Sequence, residues 1–108
     1  MTVFVIAEVE VTDDNWLVEY GENVHDIVHK YGGKYLSRSA NIVNIEGESL
    51  PTTSIAILQF PDAESASAFG MSEEYSRYCA ARQAGSNSRF RMIDDTDVAG
   101  TIPYLNKG

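Results

Sequence analysis

Cysteine and basic residues are scarce in this chain, and each shortage excludes a class of protein. Cys79 is the only cysteine among 108 residues, so neither a disulfide framework nor a cluster of thiolate metal ligands can form within one chain. Lysine and arginine number 8 against 16 acidic residues, which gives a net charge of -8. Such a surface repels phosphate backbones and anionic lipids, so we expect no nucleic acid and no membrane as partners.

Long apolar runs are also missing. The N-terminal run that begins at Val3 is interrupted at Glu8, and no basic segment precedes it. A run of that length is too short for a membrane span or for the apolar part of a signal peptide. Together with the single cysteine, it predicts a soluble protein of the cytoplasm, which is a reducing compartment.

The chain does contain enough apolar material for one core. Apolar residues make up 44% of the sequence, and they include six Tyr, four Phe and one Trp. A chain of this length can bury roughly two thirds of its unfolded surface in a single domain. We expect this domain to cover residues 1–95 and to be followed by a tail without regular structure, residues 96–108.

Hydrophobic periodicity predicts the order strand, helix, strand, strand, helix, strand. Apolar alternation and apolar runs indicate strands over residues 3–11, 34–45, 53–60 and 90–94. We expect a bulge or bend near residues 37–41 of the second strand. Helical spacing indicates a helix over residues 17–31, capped by Thr12 or Asp13, and a second helical region over 62–82 that is interrupted at Gly70 and capped again at Ser72. This order is typical of the ferredoxin-like plait, an α+β fold in which two helices cover one face of a four-stranded antiparallel sheet.

The first and third strands would be central in this sheet, and both are apolar on two faces. An antiparallel sheet that is covered on one side alone should instead alternate apolar and polar residues. We therefore expect the uncovered face to meet the same face of a second copy, which would give a homodimer of the dimeric α+β barrel type. The alternative is that the apolar tail folds back over its own sheet.

Residues 31–38, with the sequence YGGKYLSR, form the corner between the first helix and the second strand. The glycine pair Gly32-Gly33 predicts the end of the helix, because glycine adopts the left-handed backbone conformation without a side-chain clash. The strand that follows places Tyr35 and Arg38 close to the place where the helix packs.

Three stretches of this chain resemble successive motifs of one bacterial family. They are YGGKYLxR at residues 31–38, LQFPDxExAxxF at 58–69, and SxEY at 72–75 followed by Arg82. Over about residues 3–95 the chain resembles an uncharacterised family, a domain of unknown function within the dimeric α+β barrel superfamily. The chain departs from the family pattern at Gly70, where a larger residue is expected, and at Ser39-Ala40, which replaces a glycine-rich corner.

The resemblance implies the plait and the dimer, and it implies no settled reaction. Relatives in the wider superfamily include cofactor-free monooxygenases, small lyases and dehalogenases, stress-response proteins and ligand-sensing domains. These are likenesses of fold, and fold alone does not establish function.

Arg38 is the leading candidate for a functional residue. Its guanidinium could grip a carboxylate or an enolate at two points. Four tyrosines could add hydrogen bonds or a stacking surface around the same ligand: Tyr20, Tyr31, Tyr35 and Tyr75. The alternative is that Arg38 forms a structural ion pair with an acidic neighbour such as Glu74.

Two histidines lie four residues apart on the first helix. His25 and His29, with Glu22 before them, could offer ligands to a metal on one helix face. We interpret them as part of a polar surface instead, because they lie away from the apolar stripe and lack a fourth ligand. His25 is nearer the edge of that stripe and is the candidate general base.

The remaining residues indicate neither a cofactor nor a metal. Cys79 is interpreted as a small packing residue rather than a nucleophile. The sequence has no phosphate-binding glycine loop and no dinucleotide motif.

Two hypotheses about function follow from these observations. In the first, a dimer binds a small organic acid or aromatic compound between sheet and helices, with isomerase, lyase or monooxygenase-like chemistry. In the second, the chain is a non-catalytic interaction, stress-response or ligand-sensing module.

Overall fold

A four-stranded antiparallel sheet with helices packed on one face makes up the part of the chain that the computed structural model describes, residues 1–101. In chain order the elements are β1 (Val3–Val11), α1 (Leu17–Lys30), β2 (Lys34–Ser39), β3 (Ser54–Phe60), α2 (Ala63–Gly70), α3 (Glu73–Ala84) and β4 (Ser86–Asp94). The strands lie in the order β2-β3-β1-β4, and each neighbouring pair is antiparallel. The ferredoxin-like plait is confirmed, with its second helical region divided into α2 and α3.

One face of the sheet packs against the helices and carries the core. Val3 of β1 pairs with Phe60 of β3, and both side chains are buried on this covered face. Above them lie Val24 and Val28 of α1, which are fully buried because their four-residue spacing puts them on one side of the helix. Burial of one such side chain stabilises the fold by roughly 1.5–3 kcal/mol.

The opposite face of the sheet, here called the open face, carries apolar side chains that no helix within residues 1–101 covers. Ile6 of β1 pairs with Ile57 of β3, the other central strand. Phe4 of β1 pairs with Ile93 of the edge strand β4. Ile57 and Ile93 leave 36% and 54% of their surface exposed. The two central strands are thus apolar on both faces, as their sequence predicted.

The corner between α1 and β2 depends on both of its glycines. Gly32 has a φ of +83°, a conformation that favours glycine, and it follows the last turn of α1. A Cβ atom at Gly33 would lie 2.5 Å from the ring of Phe60, so only glycine lets the chain pass this close to the core. The corner therefore fixes where β2 begins relative to the helix.

Three predicted boundaries differ from the structure. Helix α1 begins after Trp16 without a side-chain cap, because Asp13 instead accepts a hydrogen bond from the backbone N–H of Asn15 at 2.9 Å. Strand β2 ends at Ser39, and the apolar residues 42–45 lie in an exposed loop. Strand β4 begins at residue 86 rather than 90, since its polar start continues the pairing with β1.

The segment that follows β4 contains one short 3₁₀ helix, Val98–Thr101, where the sequence predicted no regular structure. The rest of the predicted tail, residues 102–108, lies outside the described residues, and so does the expectation that it folds over the sheet. Within residues 1–101, no helix is both long enough and apolar enough to cross a membrane.

Candidate functional site

A cavity of about 160 Å³, here called the arginine cavity, lies between the covered face of the sheet and the helices. Its lining includes Trp16, Tyr20, Tyr35, Arg38, Arg82 and Phe90. A second cavity of about 250 Å³, here called the apolar cavity, shares Leu58, Phe69, Arg82 and Phe90 with the first. The two spaces are therefore neighbours, and Arg82 belongs to the wall of both.

Trp16 is fixed in the wall of the arginine cavity by a close contact with Gly85. Its indole Nε1–H donates a hydrogen bond to the Gly85 carbonyl oxygen at 3.1 Å. A Cβ atom at Gly85 would overlap the indole ring, at 2.3 Å from Cδ1. The ring of Tyr20 meets the indole edge-on, with centroids 5.2 Å apart, so the aromatic wall is held in one arrangement.

Arg82 of α3 is a buried cation without a described counter-charge. Only 6% of its surface is exposed. Its guanidinium donates to the Ser88 hydroxyl and to Cys79 Sγ at 3.4 Å, and its central carbon lies 4.1 Å from the centroid of the Phe90 ring. Among residues 1–101, no carboxylate lies within 4.0 Å of it and its Nε–H has no hydrogen-bond partner.

Arg82 nevertheless remains charged. Burial acts to lower its pKa, but the phenols of Tyr75 and Tyr20 act to raise it, and the net pKa lies above the usual value of an arginine. Burying an unpaired charge is costly, since water is lost and nothing of opposite sign replaces it. An anion in either cavity would supply the missing partner.

Two tyrosine hydroxyls meet beside this guanidinium. The hydroxyls of Tyr20 on α1 and Tyr75 on α3 lie 2.6 Å apart in a hydrogen bond. Burial raises the pKa of the Tyr20 phenol well above its usual value, and Tyr75 raises it further. Tyr20 therefore stays neutral and is available as a hydrogen-bond donor or acceptor at the cavity wall.

Tyr35 and Arg38 reach the same cavity because of a β-bulge in β2. Residues three apart in a regular strand point to opposite faces. The pairing of β2 with β3 shifts between Tyr35 and Ser37, so that Tyr35 lies opposite Leu58 and Arg38 opposite Ala56, both on the covered face. The bulge therefore lies at Leu36, just before the stretch 37–41 where a bulge or bend was predicted.

Arg38 lies at the mouth of the cavity, while Tyr35 lies deeper. The guanidinium carbon of Arg38 is 4.5 Å from the centroid of the Tyr35 ring, a cation–π distance, and the arginine itself is exposed. Burial raises the pKa of Tyr35, and the charge of Arg38 partly opposes this effect. The cavity therefore has one cation at its entrance and another in its inner wall.

The structure brings some of the predicted site residues together and leaves others outside. Tyr20, Tyr35 and Arg38 line the arginine cavity, and Tyr75 lines the apolar cavity beside them. Tyr31 does not join them, because its hydroxyl donates to Glu74 at 2.8 Å on the surface.

The alternative partner of Arg38 is engaged elsewhere. Glu74 accepts hydrogen bonds from Lys30 Nζ at 2.9 Å and from Tyr31, and these bonds lower the pKa of its carboxyl. Arg38 forms no ion pair with Glu74. The structural interpretation of Arg38 as the partner of Glu74 is therefore wrong.

His25 also lies away from both cavities. Its Nδ1 is 3.2 Å from the Gly21 carbonyl oxygen, and its Nε2 is 3.4 Å from Asp26 on the exposed side of α1. Its ring meets that of His29 with centroids 6.2 Å apart. Within residues 1–101, no group of three or more His, Cys, Asp or Glu side chains is arranged to hold a metal ion.

Arg82 is the residue that the sequence analysis did not assign to the site. The signal was present in α3, where Tyr75, Tyr78 and Arg82 follow one another at spacings of three and four, and all three are buried. A charged residue on the buried side of a helix needs a partner. That partner is absent from the nearby sequence, which is what separates Arg82 from an ordinary surface arginine.

The order of strands and helices and the cavity between them define a small ferredoxin-like α+β domain. The chain belongs to the family described as a domain of unknown function, DUF1330, whose sequence model matches residues 2–96. The resemblance seen in the three sequence motifs is thereby confirmed. A comparison with curated protein sequences finds no match.

Solved structures of similar fold share little sequence with this chain. A protein of unknown function from Rhodopseudomonas palustris superposes with a TM-score of 0.76 at 14% identity, over 89% of this chain and 83% of that one. SnoaB, a cofactor-independent oxygenase from Streptomyces nogalater, gives a TM-score of 0.64 at 11% identity, over 94% of this chain and 97% of that one. A possible oxidoreductase from Bacteroides thetaiotaomicron gives 0.63 at 13% identity, with coverages of 86% and 96%. At these identities the likeness establishes the fold alone.

Proposed function

We propose that this chain is a small-molecule-binding protein that takes an organic acid or enolate in the arginine cavity. The observation that carries the proposal is Arg82, a charged side chain 6% exposed, in the cavity wall, with no carboxylate within 4.0 Å among residues 1–101. The anionic group of the ligand would lie against Arg82. Arg38 would bind the same ligand from the entrance, as two guanidinium groups commonly do with carboxylates.

The tyrosines would orient the rest of the ligand. Tyr20 would offer its neutral hydroxyl, oriented by Tyr75. The rings of Trp16, Tyr35 and Phe90 supply flat apolar walls, which suit a planar or aromatic compound. This arrangement resembles ordinary ligand sites, which are mainly apolar with a few directed polar groups.

Binding is favoured over catalysis as the basic activity. Among residues 1–101, the lining of the arginine cavity includes no His, Asp or Glu, so this part of the chain offers no side chain there that would act as a general base near pH 7. An enzymatic version of the function would have to rely on stabilising an enolate between Arg82 and Tyr20, as in cofactor-free isomerase, lyase or monooxygenase-like chemistry. The oxygenase SnoaB shares the fold and is compatible with such a version.

We further propose that the protein is a soluble cytoplasmic homodimer formed through the open face. Phe4, Ile6, Ile57 and Ile93 form a contiguous apolar surface there. Apolar patches of this kind on a small domain mark an interface, and two-fold symmetric dimers are the commonest way to cover one. The arginine cavity would then lie on the outer side of each sheet, away from the interface and accessible in both subunits.

The binding proposal is tested by thermal unfolding in the presence of small carboxylates and phenolic acids. A ligand at ten times its Kd stabilises the folded state by about 1.4 kcal/mol, which should raise the Tm of a domain this size by roughly 6–10 °C. Arg82→Gln should abolish the shift and Arg38→Ala should reduce it.

The matched control is Arg77→Gln, which changes an exposed arginine of the same helix that pairs with Glu19. This variant should keep the full ligand-induced shift. If wild type and Arg82→Gln respond equally to every acid, the guanidinium is not the ligand partner and the non-catalytic interaction module becomes the better hypothesis. Exchange of the C3 protons of a bound 2-oxo acid for deuterium, followed by NMR, would distinguish an enzyme from a simple binder.

A further inference from the structure

The apolar cavity continues the arginine cavity beyond the guanidinium of Arg82. Four residues belong to the walls of both spaces: Leu58, Phe69, Arg82 and Phe90. The additional lining of the apolar cavity is mostly hydrophobic. It comes from the sheet and from α2, with Val5, Phe60, Ala66 and Met92 as its main side chains, and from Tyr75 and Cys79 of α3. Among the described residues, Arg82 is the only charged side chain in this lining.

Gly70, the last residue of α2, leaves one side of the apolar cavity open. Its φ is not positive, since Gly32 and Gly47 are the two glycines with positive φ among the described residues, so the backbone does not require a glycine here. A Cβ atom at this position would meet no heavy atom within 4 Å. Gly70 is itself exposed, so position 70 borders open space at the rim of the apolar cavity, and no packing contact requires a glycine there.

Phe90 and Met92 point to the same conclusion from the sheet side. Both belong to edge strand β4 on the face that the helices cover, yet 39% and 48% of their surfaces remain exposed. The helices thus leave an apolar gap over β4 that begins at Arg82.

We propose that the two cavities form one amphipathic site, and that its ligand is an acid with an extended apolar portion. The anionic group lies against Arg82, and an alkyl chain or a second ring fills the apolar cavity between α2 and β4. Gly70 sets the length or bulk that the site accepts. This inference rests on the proposed function, because it takes Arg82 as the partner of the anion.

Chain length is the variable that tests the inference. Straight-chain carboxylates from acetate to octanoate are titrated calorimetrically into the wild-type protein, with the matching alcohols as uncharged controls. Each buried methylene is expected to raise the affinity roughly fourfold until the cavity is filled. The alcohols should bind far more weakly than the acids of equal length, since they leave Arg82 unpaired.

Gly70→Leu tests the role of the open wall. Because the new side chain has room, the variant should fold, keep wild-type affinity for acetate and bind octanoate at least tenfold more weakly. Ala68→Leu is the matched control, since Ala68 is an exposed residue of the same helix that lines neither cavity. It should leave the whole series unchanged. Should Gly70→Leu not fold, Ser67→Leu replaces it in the same titrations, because Ser67 is an exposed residue of α2 that lines the same cavity.

The outcomes separate this inference from the proposed function. Acids that bind with Arg82 dependence but with no gain from chain length would overturn the amphipathic site and leave the anion site standing. Octanoate binding that survives Gly70→Leu unchanged would remove Gly70 as the size-determining residue. If no acid of any length binds, both proposals fail together.

Discussion

Each face of the sheet has an arginine beside apolar residues, and the two arginines differ in whether they have a carboxylate partner. On the open face, Arg91 lies with Nη2 3.4 Å from the carboxylate of Glu8 on the neighbouring strand, and most of its side chain is exposed. On the covered face, Arg82 is buried and has no such carboxylate among residues 1–101. The first arrangement is a complete surface ion pair, and such pairs contribute little to stability. The second arrangement is incomplete without an anion, which is why we assign ligand binding to the covered face and assembly to the open face.

The largest expected effect comes from placing a charge on the open face. Ile57→Asp should dissociate the dimer, because each carboxylate would be desolvated at the centre of an apolar interface without a partner. Light scattering at micromolar concentration should give a mass near 24 kDa for two wild-type chains of 11.9 kDa and half of that, or an unfolded chain, for the variant.

A charge on the helix surface provides the control for this experiment. Val18 lies on the outer side of α1 with 71% of its surface exposed, so Val18→Asp should leave both mass and Tm unchanged. A wild-type protein that scatters as a folded single chain would count against the assembly through the open face. An Ile57→Asp variant of unchanged mass and melting temperature would do the same.

The second expected effect contrasts the two arginines directly. Replacing Arg82 with Met removes an unpaired buried charge and keeps a side chain of similar length, so the free energy of unfolding should stay the same or rise by up to about 2 kcal/mol. Acid binding should be lost at the same time. Arg91→Met should leave acid binding intact, because Arg91 lies on the open face and lines neither cavity.

Denaturant unfolding of wild type and Arg82→Met gives the change in the free energy of unfolding. A loss of about 3 kcal/mol or more in Arg82→Met would mean that Arg82 holds α3 and β4 together through Ser88 and Cys79. In that case Arg82 would be a structural residue, and the contrast between the two faces would disappear.

The same contrast explains how much could be predicted from the sequence. Alternation and helix punctuation reflect local preferences, so the order of elements and both apolar faces of the central strands followed from the pattern. The start of β4 did not, because residues 86–89 are polar and are held extended by pairing with β1, which is distant in sequence. Burial and pairing of this kind override local preference.

The residues of the candidate site also differ in how far the sequence alone could identify them. Arg38 and Tyr35 were identified because they follow the glycine corner, although the bulge at Leu36 that turns both to one face has only a weak sequence signal. Tyr31 was expected to contact the ligand, but its hydroxyl instead donates a hydrogen bond to Glu74 of α3, away from the cavity. Arg82 was missed although its spacing with Tyr75 and Tyr78 places it on the buried side of α3. The structure adds that, among residues 1–101, no distant element brings a carboxylate within 4.0 Å of it.

The smallest expected effect is a pH dependence that comes from the covered face. Burial raises the pKa of Tyr20 in the folded protein above its usual value near 10, so above pH 10 the unfolded chain loses this proton while the folded chain keeps it. The unfolded state then binds fewer protons, and stability falls as pH rises. By pH 11 the loss attributable to Tyr20 should be about 1.4 kcal/mol.

Denaturant unfolding at pH 9, 10 and 11 measures this dependence in wild type and in Tyr20→Phe. The variant loses the hydrogen bond to Tyr75 and is less stable at pH 9, but its stability should fall less steeply toward pH 11. Tyr31→Phe serves as the comparison, because the phenol of Tyr31 lies on the surface, and it should change the slope less than Tyr20→Phe does. Equal slopes in wild type and Tyr20→Phe would mean that the Tyr20 phenol ionises freely in the folded state. Water would then reach the inner wall of the arginine cavity, and Arg82 would be solvated by water without needing an anion.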